Sequence, residues 1–327
     1  MKRKHLLIAV LLLAAVAAPS QAEQAEGSEL QALVLSRQHA ALEALARERL
    51  ASNPLDDVAL WYWGLDAANE PRLNIELMSR AQDCVRAKPQ SARCQHLWGV
   101  LIAARLMQEI DLSALSRIGE MREHFENAVT LAPQDYTMRH DLQAFYLEVP
   151  GLLGGSNSKA RAQAQALSRV DPARAALLRA QIAISNKDFD EAQALLAGVH
   201  PGGDRLLAMD LQAAQVDLGS ALIEADAPRR AYTLFEDLLK QDPEAPELYV
   251  GLGRSLSLLK QAPAAVAAFE SALRLDARTH IQHRLAAAAE AAGDKLKAIG
   301  SWQQVLAEPA ESLYADKARE RLKALQR

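Results

Sequence analysis

Residues 246–277, PELYVGLGRSLSLLKQAPAAVAAFESALRLDA, form a unit that recurs along the chain. With Pro246 as place one, Tyr249, Leu252, Gly253 and Leu256 fall at places 4, 7, 8 and 11, on one face of a helix. Ala265, Phe269 and Ala272 follow at places 20, 24 and 27, on the facing side of a second helix. Gly253, Ala265 and Ala272 are small where two helices must approach closely; a Leu there would cost roughly 1–3 kcal/mol in overpacking. Phe269 fills the wedge these residues leave, and Phe269→Ala is expected to cost about 3–5 kcal/mol. A single hairpin cannot bury both its faces, so it needs a neighbour above and below. An ordinary bundle needs apolar stripes but no fixed period, and the period decides for an array.

A bulky residue at place 4, Leu-Gly at 7 and 8, Ala at 20, an aromatic at 24 and Ala at 27 resemble the tetratricopeptide repeat (TPR). The resemblance implies an all-α, right-handed solenoid of about eight helical hairpins with a C-terminal capping helix. The first unit keeps its second helix, HAALEALARERLASNP, behind a first helix that reads as short. The next begins near Asp57 with Leu60, Trp63, Gly64 and Ala67, and Trp61 lies on the other side of that helix. A third has Trp98-Gly99, Phe125 and Ala128, with about ten extra residues around MQEIDLSALSRIG, enough to lengthen a helix or add one. The fourth carries Leu142, Tyr146, Ala160, Ala164 and Leu167 around a long connection, VPGLLGGSNSK. The fifth has Ala180, Ala183 and Ala192, and PGGD at 201–204 after it is the clearest break in the array. The sixth places Ala231 34 residues before Ala265, the TPR period. The eighth has Leu285, Ala286, Ala298 and Trp302, and residues 310–327 form the cap. Pro54, Pro89, Pro133, Pro172 and Pro243 close successive units, since a proline past a helix end stops it.

Half of the 327 residues are hydrophobic and 5% are aromatic, which favours helix throughout. Residues 1–22 read as a signal peptide: Lys2, Arg3 and Lys4, an apolar run from Leu6 to Val16, and Ser20-Gln21-Ala22 as cleavage site. Cleavage near Ala22 changes the formal charge from −4 to −7, because the segment carries three bases and no acid. So acidic a chain is a poor nucleic-acid binder. The expectation is an exported, periplasmic protein with no stable membrane insertion after cleavage, a disordered lead-in at 23–29, and a solenoid over 30–327 that a break near 201–204 could subdivide.

Within residues 84–160, the stretches CVRAKPQSARCQ, FENAVTLAP and DLQAFYLEVPGLLGGSNSKA resemble a group of exported proteobacterial TPR proteins. The PGxxGGSxxKA loop is more loosely similar to periplasmic TPR subunits that accompany some TRAP-type solute transporters. That likeness implies a trimeric, ligand-funnelling role.

No catalytic constellation emerges. Gly151 to Lys159 superficially suggests a phosphate loop, but Lys159 sits four residues past Gly155 and no strand precedes it. A tight inter-helix loop with Lys159 in the first turn of the next helix is the better reading. His280 and His283 are three apart on one expected helix and could share a metal, but only Glu290 offers a third ligand. There is no HExxH and no GxSxG elbow, so neither a metal, a cofactor nor a hydrolase is expected.

In TPR arrays the inner surface comes from places 2, 5, 9, 12 and 13 of each first helix. Here these include Arg93, His96, His140, Ala144, Arg174, Leu177, Gln181, Val216, Ser220, Val250, Arg254, His280 and His283. TPR domains that clamp acidic chaperone tails use Lys and Asn at several of these places, which this chain lacks. Arg and His among apolar and small residues suggest an extended peptide, or a ligand with one or two acidic groups. The competing reading is an idle, solvated surface, because scattered surface charges usually contribute little. The expected function is a non-enzymatic scaffold binding a protein or peptide in its concave groove. The alternative is an accessory solute-binding subunit of a transporter or exporter. Finally, Cys84 falls at place 27 of one unit and Cys94 at place 3 of the next. Adjacent TPR helices bring those places together, and in an oxidising compartment the two are expected to pair.

Overall fold

The computed structural model describes residues 21–68, 70, 74–108 and 114–326. Seventeen α-helices and no strand run through the described residues. The first four hairpins are α1 (Gln21–Leu35) with α2 (His39–Ser52), α3 (Asp57–Ala67) with α4 (Ile75–Ala87), α5 (Ala92–Gln108) with α6 (Ala114–Leu131), and α7 (Tyr136–Glu148) with α8 (Asn157–Leu167). Four more follow: α9 (Pro172–Ser185) with α10 (Phe189–Ala197), α11 (Arg205–Glu224) with α12 (Pro228–Gln241), α13 (Pro246–Leu258) with α14 (Ala262–Leu275), and α15 (Gln282–Ala291) with α16 (Lys295–Ala307). α17 (Ala315–Leu325) caps the last face. This is the expected solenoid of eight hairpins and a cap.

Local chemistry sets the helix starts. Asp56, Asn74, Asp135, Ser156, Asp171, Asp188, Asp204 and Asp294 each precede a helix and accept a hydrogen bond from a backbone N–H of its first turn. Such caps contribute about 1 kcal/mol each. Pro172 opens α9 from its first turn, behind the Asp171 cap, so it starts a helix as much as it ends the previous unit.

The small-large pairing of the repeat is visible in the core. Phe125, Phe235 and Phe269 lie against Gly99, Gly219 and Gly253 of their own hairpins. Phe235 also touches Gly251 of the next one, and a Cβ on Gly251 would overlap the ring. Phe269 is 1% exposed, as the pattern requires. Cys84 on α4 and Cys94 on α5 form a disulfide with a Cα separation of 5.5 Å, joining the second hairpin to the third.

Some expectations are corrected and others are met. The first helix is not short: α1 has 15 residues and runs through 23–29, the segment read as a disordered lead-in. Of the expected signal peptide, residues 1–20 lie outside the described residues. The extra residues of the third hairpin lengthen α5 and α6 to 17 and 18 residues, with 109–113 outside the described residues. The break at 201–204 is a turn, and one apolar core from Leu177 to Leu248 continues across it. His280 is not helical: it follows a 3-10 turn, Ala277–Thr279, in the left-handed region with φ of 46°, and α15 starts two residues later. At the long connection, Gly154 takes φ of 109° and Gly155 packs so closely on the Val149 carbonyl that any side chain would collide. Lys159 does sit in the first turn of α8, where it pairs with Glu126 at 3.2 Å.

The array closes on itself. The turn between α1 and α2 and the end of α3 meet the loops that precede α13 and α15. Arg37 contacts Asp242 at 2.8 Å and Glu247 at 3.3 Å. Arg278 contacts Asp66 and Glu70, each at 3.2 Å. His39 lies between Asp66 at 2.6 Å and Asp276 at 3.9 Å. The first helices of the hairpins therefore line the inside of a closed turn.

Candidate functional site

The inner wall starts with a polar ladder across four successive first helices. Trp61 on α3 donates from Nε1 to His96 Nδ1 on α5 at 2.9 Å. His96 Nε2 faces Asp141 on α7 at 2.9 Å, and the second Asp141 oxygen faces His140 Nδ1 at 2.9 Å. His140 Nε2 meets the Gln181 amide on α9 at 3.2 Å, and Gln181 Oε1 accepts from Gln143 at 2.6 Å. Because Trp61 donates to His96 Nδ1, the His96 proton that faces Asp141 lies on Nε2, and His140 presents Nδ1–H to the other Asp141 oxygen. Burial would raise the Asp141 carboxyl, but hydrogen bonds from His140 and His96 hold it well below the usual range. His140 is pushed up by Asp141, Asp217 and Asp210 against the opposing effect of burial.

This ladder corrects part of the expected groove. His96 is fully buried and cannot touch a ligand; it fills the gap between α5 and α7. Leu177 is buried in the same way. Arg174 does not offer a free cation: it is paired with Asp210 at 2.8 Å, Asp171 at 3.2 Å and Asp204 at 3.3 Å, and lies over the Tyr136 ring. Beside it stand acids with no such neutralisation. Burial pushes Asp217 up, and the same holds for Glu148, to which the Asp217 charge adds. Both side chains nonetheless contact water. This quadrant of the wall is acidic, opposite in sign to the expectation from Arg174.

Further along, expected residues do come together. Val216, Ser220, Val250 and Arg254 line one cavity of about 350 Å³ between α11 and α13, with Phe235 and Gly251 beneath them. Arg254 and His283 line a second, of about 530 Å³, between α13 and α15. Arg254 thus stands between two concavities, half-buried, 3.4 Å from Ser220 Oγ. His283 is held inward, stacked on Tyr314 at 3.7 Å and bound to the buried Glu311 at 2.9 Å. His280 faces Glu70 at 3.4 Å and Glu308 at 3.8 Å in the closure seam. The two histidines therefore have separate partners, and Glu290 is engaged by Arg321 and Trp302. Arg93 lies apart, with Arg49, Asp56 and Lys88 in a polar cavity of about 540 Å³.

Sequence reasoning missed Asp141, Asp217 and Arg284. The acids escaped because a basic groove was sought, although the net charge of the chain argued for acids on every face. Arg284 escaped because the helical frame was carried unbroken through 277–281, where the backbone departs from helix.

No family model and no curated protein matches this chain. Solved structures do. Yeast Tom70 is similar over 94% of this chain and 61% of its own, at 13% identity and a TM-score of 0.59. The APC/C hetero-tetramer Cut9–Hcn1 matches over 93% of this chain and 55% of that one, at 17% identity and a TM-score of 0.49. A tetratricopeptide repeat protein from Parabacteroides merdae covers 81% of this chain and 98% of its own, at 14% identity and a TM-score of 0.47. The chain spans little more than half the length of the first two. What is shared is the fold, an α-solenoid of the tetratricopeptide type.

Proposed function

We propose that this chain is a non-enzymatic scaffold, acting in the periplasm, that holds an extended protein or peptide segment against its inner wall. The observation that carries the reading is the cavity between α11 and α13, where Val216, Ser220, Val250 and Arg254 come from two helices to make one apolar-floored concavity. Ser220 offers a hydroxyl in this lining, a hydrogen-bonding group that a peptide backbone requires. Towards α9, Asp217 and Glu148 favour a basic residue of the bound segment; towards α15, Arg254 favours an acidic one. Opposite charges at the two ends of one groove would set the direction in which a segment lies.

A second reading, an accessory solute-binding subunit of a transporter or exporter system, draws on the cleft beside Arg254, whose size suits a small solute. Affinity capture after crosslinking in the periplasm tests the first reading against Val250→Asp. A discrete protein partner that wild type captures and Val250→Asp loses, at unchanged helicity, supports the scaffold. Equal capture by both sinks this placement of the groove.

A further inference from the structure

The cleft between α13 and α15 has a cause in the backbone. The 3-10 turn Ala277–Thr279 and the left-handed His280 replace the first turn that α15 would otherwise have, leaving it 10 residues against the 13 of α13. α15 packs on α14 and α16, and α13 and α15 do not close on one another as α11 and α13 do. α5 and α7 are likewise not closed, but there His96 and Asp141 fill the gap. Between α13 and α15 no described residue fills it, and about 530 Å³ is left.

The lining is divided in kind. Ile223, Leu258 and Ala287 supply apolar surface, with the buried Phe269 and Ala288 beneath them; Arg254, Lys260, Arg284 and Lys317 supply four cations, and no carboxylate lies among the lining residues. Arg284 and Lys260 form no ion pair among the described residues. Burial, then the nearby Arg284 charge, pushes the Arg254 guanidinium down, and Glu224 only opposes this. In a chain of net charge −4, four cations around an apolar floor are a local excess that an anion would relieve.

We propose that this cleft binds a small amphipathic anion: a carboxylate head held by Arg254 and Arg284, on an unbranched alkyl tail laid over Leu258 and Ala287. Guanidinium groups match a carboxylate with paired N–H donors. The volume lies in the range of small-ligand sites, roughly 300–1,000 Å³. A peptide suits it less. The one hydroxyl in the lining, Ser257, already donates to the Gly253 carbonyl at 2.8 Å, and no Asn or Gln is present. Backbone amides buried there would go unpaired, whereas an alkyl chain has none to satisfy. The site is thus separate from the peptide groove between α11 and α13, with Arg254 as the shared wall.

Titration calorimetry of the full chain with sodium decanoate, in 0.15 M salt, tests this. Decanoate is expected to bind once per chain, decanol at least tenfold more weakly, and acetate without measurable heat. Arg254→Gln with Arg284→Gln is expected to weaken decanoate at least tenfold. Ala287→Leu, a substitution on the exposed side of α15 that fills the cleft, should do the same with all charges kept. Circular dichroism checks that each variant is folded. No heat with decanoate, equal affinity in the charge variant or in Ala287→Leu, or decanol binding as tightly as decanoate each overturns the proposal.

Discussion

Arg37 and Asp242 are 205 residues apart in sequence and 2.8 Å apart in space. Their contact shows that the hairpins complete a turn whose beginning is seated on its later loops. Each pair in that seam is partly exposed and contributes at most about 1 kcal/mol. Cooperation between Arg37 and Arg278, each facing two or more acids, is what holds it. Arg37→Glu with Arg278→Glu should therefore enlarge the radius of gyration in small-angle scattering while leaving helicity unchanged. High salt should shift wild type the same way, because exposed pairs are screened. An identical scattering profile for variant and wild type would contradict a seam held by charge.

Two glycines separate packing from propensity. Gly251→Ala places a methyl where Phe235 lies and should cost about 1–3 kcal/mol. Gly300→Ala meets nothing within 4 Å on the exposed side of α16 and should stabilise by about 0.5–1 kcal/mol. Denaturant unfolding of the two variants gives opposite signs if the core is packed as described.

Cys84→Ser with Cys94→Ser removes the staple between the second and third hairpins. The loop it closes is short, with a sequence separation of 10, so a loss of about 2–3 kcal/mol is expected. Thiol counting on the denatured, unreduced protein should find no free thiol; two per chain would refute the bond.

The inner wall should respond to pH in two directions. Asp217 is raised by burial, so its charge opposes folding once pH exceeds the ordinary carboxylate value. Asp217→Asn should raise the melting temperature at pH 7, and this gain should shrink as pH falls towards about 4 and vanish below it. His140 is raised too, but it is a base, so the stability it adds is present below its ordinary value and lost as pH rises through the folded one. His140→Gln should flatten the fall in melting temperature above about pH 6.5. A gain from Asp217→Asn that persists undiminished at pH 3 would show that burial is not its cause.

The fold was legible because it rests on spacing: Gly219 with Phe235 and Gly253 with Phe269 repeat at fixed places, and those contacts formed. The site was legible only in part. Val216, Ser220, Val250 and Arg254 lie in regular helix, and the frame carried them to one cavity. His96 and Arg174 stand at inner places too, yet one is buried and the other neutralised by three Asp side chains, one on α11 and two from the loops that precede α9 and α11. Repeat position gives the face of a helix, whereas partners depend on neighbouring helices whose approach varies. His280 and His283 failed for a third reason, the break in helix at 277–281, which no repeat pattern marks.

The central claim is that a protein segment occupies the inner wall at α11 and α13. Site-specific photocrosslinking in cells tests it most directly, with the reactive group at Val250 and, as control, at the outward-facing Gln303. The account predicts a discrete crosslinked partner from Val250 that is absent from Gln303 and that Val216→Asp abolishes. Crosslinks of equal yield from both positions, or a partner reached from Gln303 alone, would contradict it.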